Sequence, residues 1–327
     1  MKGEIEFVRR DVLWIQRWRP FLFAFAVALT LAKSSNAFDQ PSVNLGASTF
    51  FDGAAQGPGL YYNQYFQYYR ADRFNDQHGR AIPGTPRLDT YTSLTQLIYL
   101  TPKPHILGAR LGFDALIPVV GLNTSPENTL LNANNDVLGD LTIGVALQFD
   151  PIMHGTNPVF VHRIDFDWIL PTGSYDRKFA LNPGANFASF NPYWAGTLFL
   201  GSKVVTSWRL HYLWNDANEQ PNLTLFPPGT RQVQAGQAVH LNFATGYSFF
   251  DHKLHAGVNG YYLKQFTDTK INGESVSGRR EEVLGIGPGA VYHFTKNAHF
   301  YLNLYFEALA ENRPRGTRLN TLFAYHF

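Results

Sequence analysis

The end of the chain alternates. Leu319, Phe323, Tyr325 and Phe327 fall on one face, and Arg318, Asn320 and His326 on the other. A period of two describes a β-strand with one apolar and one largely polar face. The pattern recurs upstream. Within 298–308, Phe300, Leu302, Leu304 and Phe306 oppose Tyr301, Asn303, Tyr305 and Glu307. Within 158–170, Phe160, Ile164, Phe166, Trp168 and Leu170 oppose Arg163, Asp165 and Asp167. Within 106–118, Ala109, Leu111, Phe113 and Ala115 oppose Arg110, Gly112 and Asp114. About twelve strands are predicted: 59–71, 88–101, 106–118, 138–149, 158–170, 191–201, 203–214, 236–249, 253–265, 281–294, 298–308 and 315–327. The first two alternate poorly, because Gln64 and Gln96 interrupt them.

The connections predict how these strands assemble. Long segments at 71–87, 119–137, 171–190, 215–235 and 266–280 alternate with short ones. The short ones lie at Thr101–His105, Asp150–Asn157, Gly201-Ser202, Asp251-His252 and Thr295–Asn297. Outer-membrane barrels have this asymmetry, with short periplasmic turns and long outer loops. The expectation is an all-β fold, a closed antiparallel transmembrane β-barrel of about 12 strands spanning 58–327. A terminal Phe on an amphipathic strand resembles the sorting signal of bacterial outer-membrane barrels. Phe323, Tyr325 and Phe327 are therefore the expected assembly signal. The bilayer, its lipopolysaccharide and the outer-membrane assembly machinery are the expected partners.

The N-terminus agrees with export. Arg9, Arg10, Arg17 and Arg19 precede an apolar run from Phe21 to Ala32, and Ser35-Asn36-Ala37 offers small residues for cleavage. Residues 1–37 read as a signal peptide. That run is shorter than the roughly 20 residues a spanning helix needs. The region before it is long and carries Glu4, Glu6 and Asp11, so the true start is left open. Losing 1–37 removes six basic and three acidic residues, which turns a net charge of +2 into −1. No basic excess remains for nucleic acid. Charged residues are 16% and aromatic residues 15%, which suits aromatic girdles at lipid headgroups. The chain has no cysteine, so disulfides and thiolate metal sites are excluded.

Charge decides which face looks where. A charge in hydrocarbon costs roughly 2–4 kcal/mol at the bilayer midplane. The charged faces must look inward, which makes Arg110, Asp114, Asp140, Arg163, Asp165, Asp167, Arg209 and Glu307 the candidate lumen-lining residues. They form either a polar constriction that orients a solute or a pairing network that fills a narrow lumen; the two can coexist. No metal spacing and no cofactor motif is found. His252 and His255, three apart at a turn, point to opposite faces of a strand. Gly285, Gly287 and Gly289 precede strand rather than helix, so they suit close approach of an inner element rather than a nucleotide. Ser207 and His211 share a face but lie about 13 Å apart along a strand, too far for a catalytic pair. Residues 38–57 are either a periplasmic tail or a lumenal plug, and Phe50-Phe51 suits the plug.

Several stretches resemble a known family, the bacterial proteins involved in the meta-cleavage pathway of phenol degradation. They are Pro58-Gly59-Leu60-Tyr61, Gly139-Asp140-Leu141, Leu170-Pro171-Thr172-Gly173-Ser174-Tyr175-Asp176 and Asn182-Pro183-Gly184. Arg209-Leu210-His211-Tyr212-Leu213-Trp214-Asn215, Gly260-Tyr261-Tyr262 and Gly285-Ile286-Gly287-Pro288-Gly289 complete the set. The resemblance implies an outer-membrane channel for uptake of small aromatic or hydrophobic compounds, and no ring-cleaving chemistry. The alternatives are a structural or adhesive barrel without transport, and an outer-membrane lipid hydrolase.

Overall fold

The computed structural model describes residues 39–47, 49–125 and 131–327. The expected signal peptide, residues 1–37, lies outside the described residues. Twelve strands build the wall: β1 Gly59–Phe74, β2 Arg87–Ile106, β3 Ala109–Ser125, β4 Thr142–Gln148, β5 Asn157–Ile169 and β6 Tyr193–Leu200. The rest are β7 Val204–Asn215, β8 Ala238–Phe249, β9 Leu254–Gln265, β10 Glu282–His293, β11 Ala298–Glu311 and β12 Pro314–His326. Each pairs antiparallel with the next. β12 pairs with β1 from Tyr61↔His326 to Phe74↔Pro314, which closes the ring. Closure leaves no edge strand, the condition for a sheet to sit in hydrocarbon.

The period-two faces appear as drawn from the sequence. On β11, Leu302 is 47% exposed while Asn303 is 1% exposed. On β5, Phe166 and Trp168 face out, while Asp165 and Asp167 are buried. The outward set, which includes Phe66, Phe113, Ile143, Leu210, Ile286 and Phe323, forms the lipid-facing belt. The inward positions of β1 are the odd ones, with Tyr65 and Tyr69 buried. Gln64 therefore faces outward. Its amide is satisfied locally, donating to Ser93 Oγ at 3.0 Å and accepting from Thr95 Oγ1 at 2.9 Å and Tyr62 OH at 2.9 Å. That is how a polar group stands on this face at low cost. Gln96, on the buried face of β2, is no interruption at all.

Two expectations fail in the first hairpins. The turn expected at Thr101–His105 is instead at Leu107-Gly108, both with positive φ (51° and 78°). β2 runs through Pro102 and Pro104 because its pairing with β1 stops at Gly59↔Leu100. Beyond Leu100 one edge of β2 is free, which is where a strand tolerates proline. The loop expected at 119–137 is also shorter, since β3 continues to Ser125. At 150–157 the expected turn becomes a small hairpin, with Ile152–His154 paired to the start of β5. Among the long connections, Ser189–Phe190 joins the wall between β5 and β7. Val233–Gln234, Thr269–Ile271 and Glu274–Val276 form a separate three-stranded sheet.

The described residues of 39–57 run through the lumen. At the end with long loops, Asp39 pairs with Arg279 at 2.8 Å, and its N–H and that of Gln40 donate to Glu281 at 2.7 and 2.8 Å. Burial pushes the Glu281 carboxyl up to about 7, against the pull of Arg313 beside it. Midway, Gly46 N–H donates to Asn242 Oδ1 at 2.7 Å, and Leu45 packs with Tyr261, Leu263 and Tyr305. Gly285 makes room there: a Cβ on it would enter the Tyr261 ring. Phe50, 2% exposed, packs on Val205, Ala244 and Val291. At the short-turn end, Gln56 Nε2 donates to Lys296 O.

The register predicts a labelling pattern. A single cysteine at Leu302 should react with a lipid-phase probe and one at Asn303 should not. Reversed parity would show that β11 is flipped.

Candidate functional site

The inward charges sort into four places. Arg163, Asp165, Asp167, Arg209 and Asp114 come together, because register sets Asp114 of β3 and Asp167 of β5 opposite Gly144 of β4. Arg163 and Arg209 are bridged by Asp52 of the lumenal segment. Arg209 Nε donates to Asp52 Oδ2 at 2.8 Å, and a second guanidinium nitrogen bonds Oδ1. Arg163 donates to the Asp52 carbonyl at 2.5 Å and lies 3.3 Å from its carboxylate. Tyr193 supports both cations: the Arg209 guanidinium lies 4.3 Å over its ring, Arg163 Nε donates to its hydroxyl at 3.3 Å, and that hydroxyl donates to Asp165 at 2.7 Å.

The remaining three stand apart. Glu307 accepts from Tyr69 at 2.7 Å and Tyr261 at 2.9 Å, while Arg318 stacks over the Tyr69 ring at 4.6 Å. Arg110 lies at the short-turn end, paired with Asp150. Asp140 is in no strand, since β4 begins only at Thr142. Its carboxylate instead accepts from Gly173 N–H at 2.8 Å and Ala185 N–H at 2.7 Å, tying two long loops together. Gly173 and Gly184 touch backbone to backbone beneath it, and a Cβ on either would collide. The Pro-Thr-Gly and Asn-Pro-Gly stretches thus serve a loop junction.

Asp52 and Tyr193 were missed by sequence reading. The available signal was arithmetic: a segment with few charges, Asp39 and Asp52, precedes a barrel whose inward arginines need partners. Ser207 and His211 do not meet. Ser207 Oγ accepts from Phe51 N–H at 2.9 Å, and His211 is 3.1 Å from Asn191. A Ser–His contact does occur between Ser248 and His252 at 2.9 Å, in the turn between β8 and β9.

Above the Asp52 cluster lies a cavity of about 340 Å³. The β3 side is apolar, from Leu116, Pro118, Val120 and Leu122, and next to it β2 adds Leu94 among Thr90, Thr92 and Gln96. The facing wall is polar, from Asp167, Arg209 and His211. The lumenal segment forms its floor through Leu45 and Ala47. No helix among the described residues is long and apolar enough to cross a membrane; the strands do so.

A closed ring of twelve antiparallel strands, apolar outside and charged inside, has the architecture of an outer-membrane β-barrel. The chain belongs to the family described as "Putative MetA-pathway of phenol degradation", whose model matches residues 71–323. It is similar to an outer membrane channel from Pseudomonas putida F1, with a TM-score of 0.72 and 18% identity over 84% of this chain and 97% of that one. A lesser likeness is to the translocator domain of the autotransporter NalP from Neisseria meningitidis, at TM-score 0.47 and 10% identity, covering 83% and 89% of the two chains. The TodX monoaromatic hydrocarbon channel aligns at TM-score 0.41 and 12% identity, covering 84% and 92%. No curated protein matches the sequence.

Asp52 is the keystone of the cluster, and its loss is expected to be costly. Replacing it with Ala leaves two half-buried arginines without their shared partner, at a cost of up to about 3–5 kcal/mol. Urea unfolding of the refolded barrel, followed by heat-modifiable gel mobility, should register the loss. Unchanged unfolding would mean that the arginines find other partners.

Proposed function

We propose that this barrel is a non-enzymatic channel for the passage of small, mainly apolar molecules carrying a polar group, such as phenolic compounds. The observation that carries the reading is the two-walled cavity. Its volume falls in the range of about 300–1,000 Å³ usual for small-molecule sites. The leucine wall takes an apolar body, and Arg209 and His211 offer contacts to a hydroxyl or carboxylate. Family membership agrees with this class of solute. The lumenal segment acts as a plug: Phe50 and Asp52 fill the lumen between the cavity and the short-turn end. Transport therefore requires the segment to move, and its Asp52 anchor sets how readily it does so.

Phe323, Tyr325 and Phe327 serve as the assembly signal in this reading. Phe323 and Tyr325 lie on the outer face of β12, and Phe327 follows its end, 69% exposed with its ring 4.9 Å from that of Tyr325. Removing Phe327 should lower the amount of inserted barrel and raise its degradation. Normal outer-membrane levels would show that the terminal ring is not read.

Flux tests the channel directly. In liposomes containing the refolded barrel, phenol entry should exceed that of protein-free vesicles. Leu116→Trp, which fills the apolar wall, should reduce entry at least several-fold per inserted molecule. Asp52→Asn should increase it by freeing the plug. Entry no faster than through lipid alone, in wild type and Asp52→Asn alike, would favour a structural or adhesive barrel.

A further inference from the structure

Acidic groups outnumber cations in the lumenal cluster. Asp52, Asp114, Asp165 and Asp167 face two cations, Arg163 and Arg209; both pair with Asp52, and Arg163 also lies 4.0 Å from Asp165. Asp114 and Asp167 are left without a cation on a wall where uncompensated charge is costly. Three of the carboxylates converge: one oxygen each from Asp114, Asp165 and Asp167 lies within 4.8 Å of the others. Asp114 accepts from Gln96 Nε2 at 3.1 Å, and Asp165 accepts from the Tyr193 hydroxyl at 2.7 Å and from the Phe166 N–H at 2.9 Å. Asp167 is 8% exposed, and its Oδ1 has no hydrogen-bond partner.

The space these oxygens share is created by Gly144. It sits on β4 between Asp114 and Asp167, and a Cβ there would collide with Asp114 Oδ2 and Asp167 Oδ1. The missing side chain lets carboxylates on strands two apart lean toward one point. Ligand oxygens lie about 2.3–2.6 Å from calcium, so two on opposite sides are up to roughly 5 Å apart. The observed spread fits that limit. Magnesium, at about 2.0–2.1 Å, demands a tighter set.

We propose that Asp114, Asp165 and Asp167 hold a divalent cation of the calcium class over Gly144, on the inner wall of the barrel. The ion clips β3 to β5 across β4, which at 7 residues is the shortest strand of the wall. Asp167 also lines the cavity, so the bound ion presents positive charge to whatever occupies it.

Terbium is the probe, with Tyr193 as a nearby donor for sensitised emission. Chelator-treated barrel in detergent should show saturable terbium emission that calcium displaces, and calcium should raise its melting temperature. Asp167→Asn keeps shape and removes charge; Gly144→Ala fills the shared space. Both should lose the emission and the melting shift while retaining heat-modifiable mobility, whereas Asp251→Asn in a short turn should keep both. Absence of calcium-displaceable emission in the wild type overturns the proposal. So does its persistence in folded Asp167→Asn and Gly144→Ala. Binding is read without transport, so neither result bears on the channel reading.

Discussion

The pairing of the last strand with the first is the constraint on which the rest depends. Hydrocarbon offers no partner for a free N–H or C=O, so the sheet has to end where it began. Once β12 meets β1, every side chain is committed to lipid or to lumen by the parity of its position. The outer face is filled mainly by aromatic and branched residues, while others, such as Tyr65, Tyr261 and Tyr305, are buried within. All strand charges apart from those at the rims are driven into a narrow interior, where they must find one another.

That interior is organised by contrast. On one side, Leu94, Leu116 and Val120 make an apolar wall; on the other, Arg163, Arg209 and their aspartates make a polar one. The lumenal segment runs between, contributing apolar contacts at Leu45 and Phe50 and one decisive charge at Asp52. Of the inward charges, Asp140, Asp167 and Arg209 border the cavity, while Arg110, Arg163 and Glu307 are held by partners away from it. Which role a given residue has follows from depth. Arg110 and Asp140 fall at opposite ends, where they brace a turn and a loop junction.

Most of the wall was legible in the sequence because period two is a direct image of the pleat. Phe300 to Phe306 and Arg163 to Asp167 announce their faces without help. Gln64 misled, because its tolerance on the outer face depends on Ser93 and Thr95 across the strand pair, a relation no single strand displays. Thr101-Pro-Lys-Pro-His misled for a similar reason: prolines mark a turn or a free edge, and only the stagger of β1 against β2 decides which. The cluster at Gly144 was out of reach, since three aspartates on two strands converge only through the register of a third. Asp52 was hidden by its address in a segment whose course the pattern left open.

The path of residues 39–57 has a consequence for the order of assembly. The segment descends inside the ring and then becomes β1, a member of that ring. A chain so placed has no sideways exit after the seam between β1 and β12 is zipped. Whatever lies within at that moment is enclosed, and whatever lies outside can enter only lengthwise. The seam joins the beginning of the barrel to its end, so enclosure waits on the final strand. The state of the lumen is therefore decided in the last act of closure, by a segment that precedes the first strand.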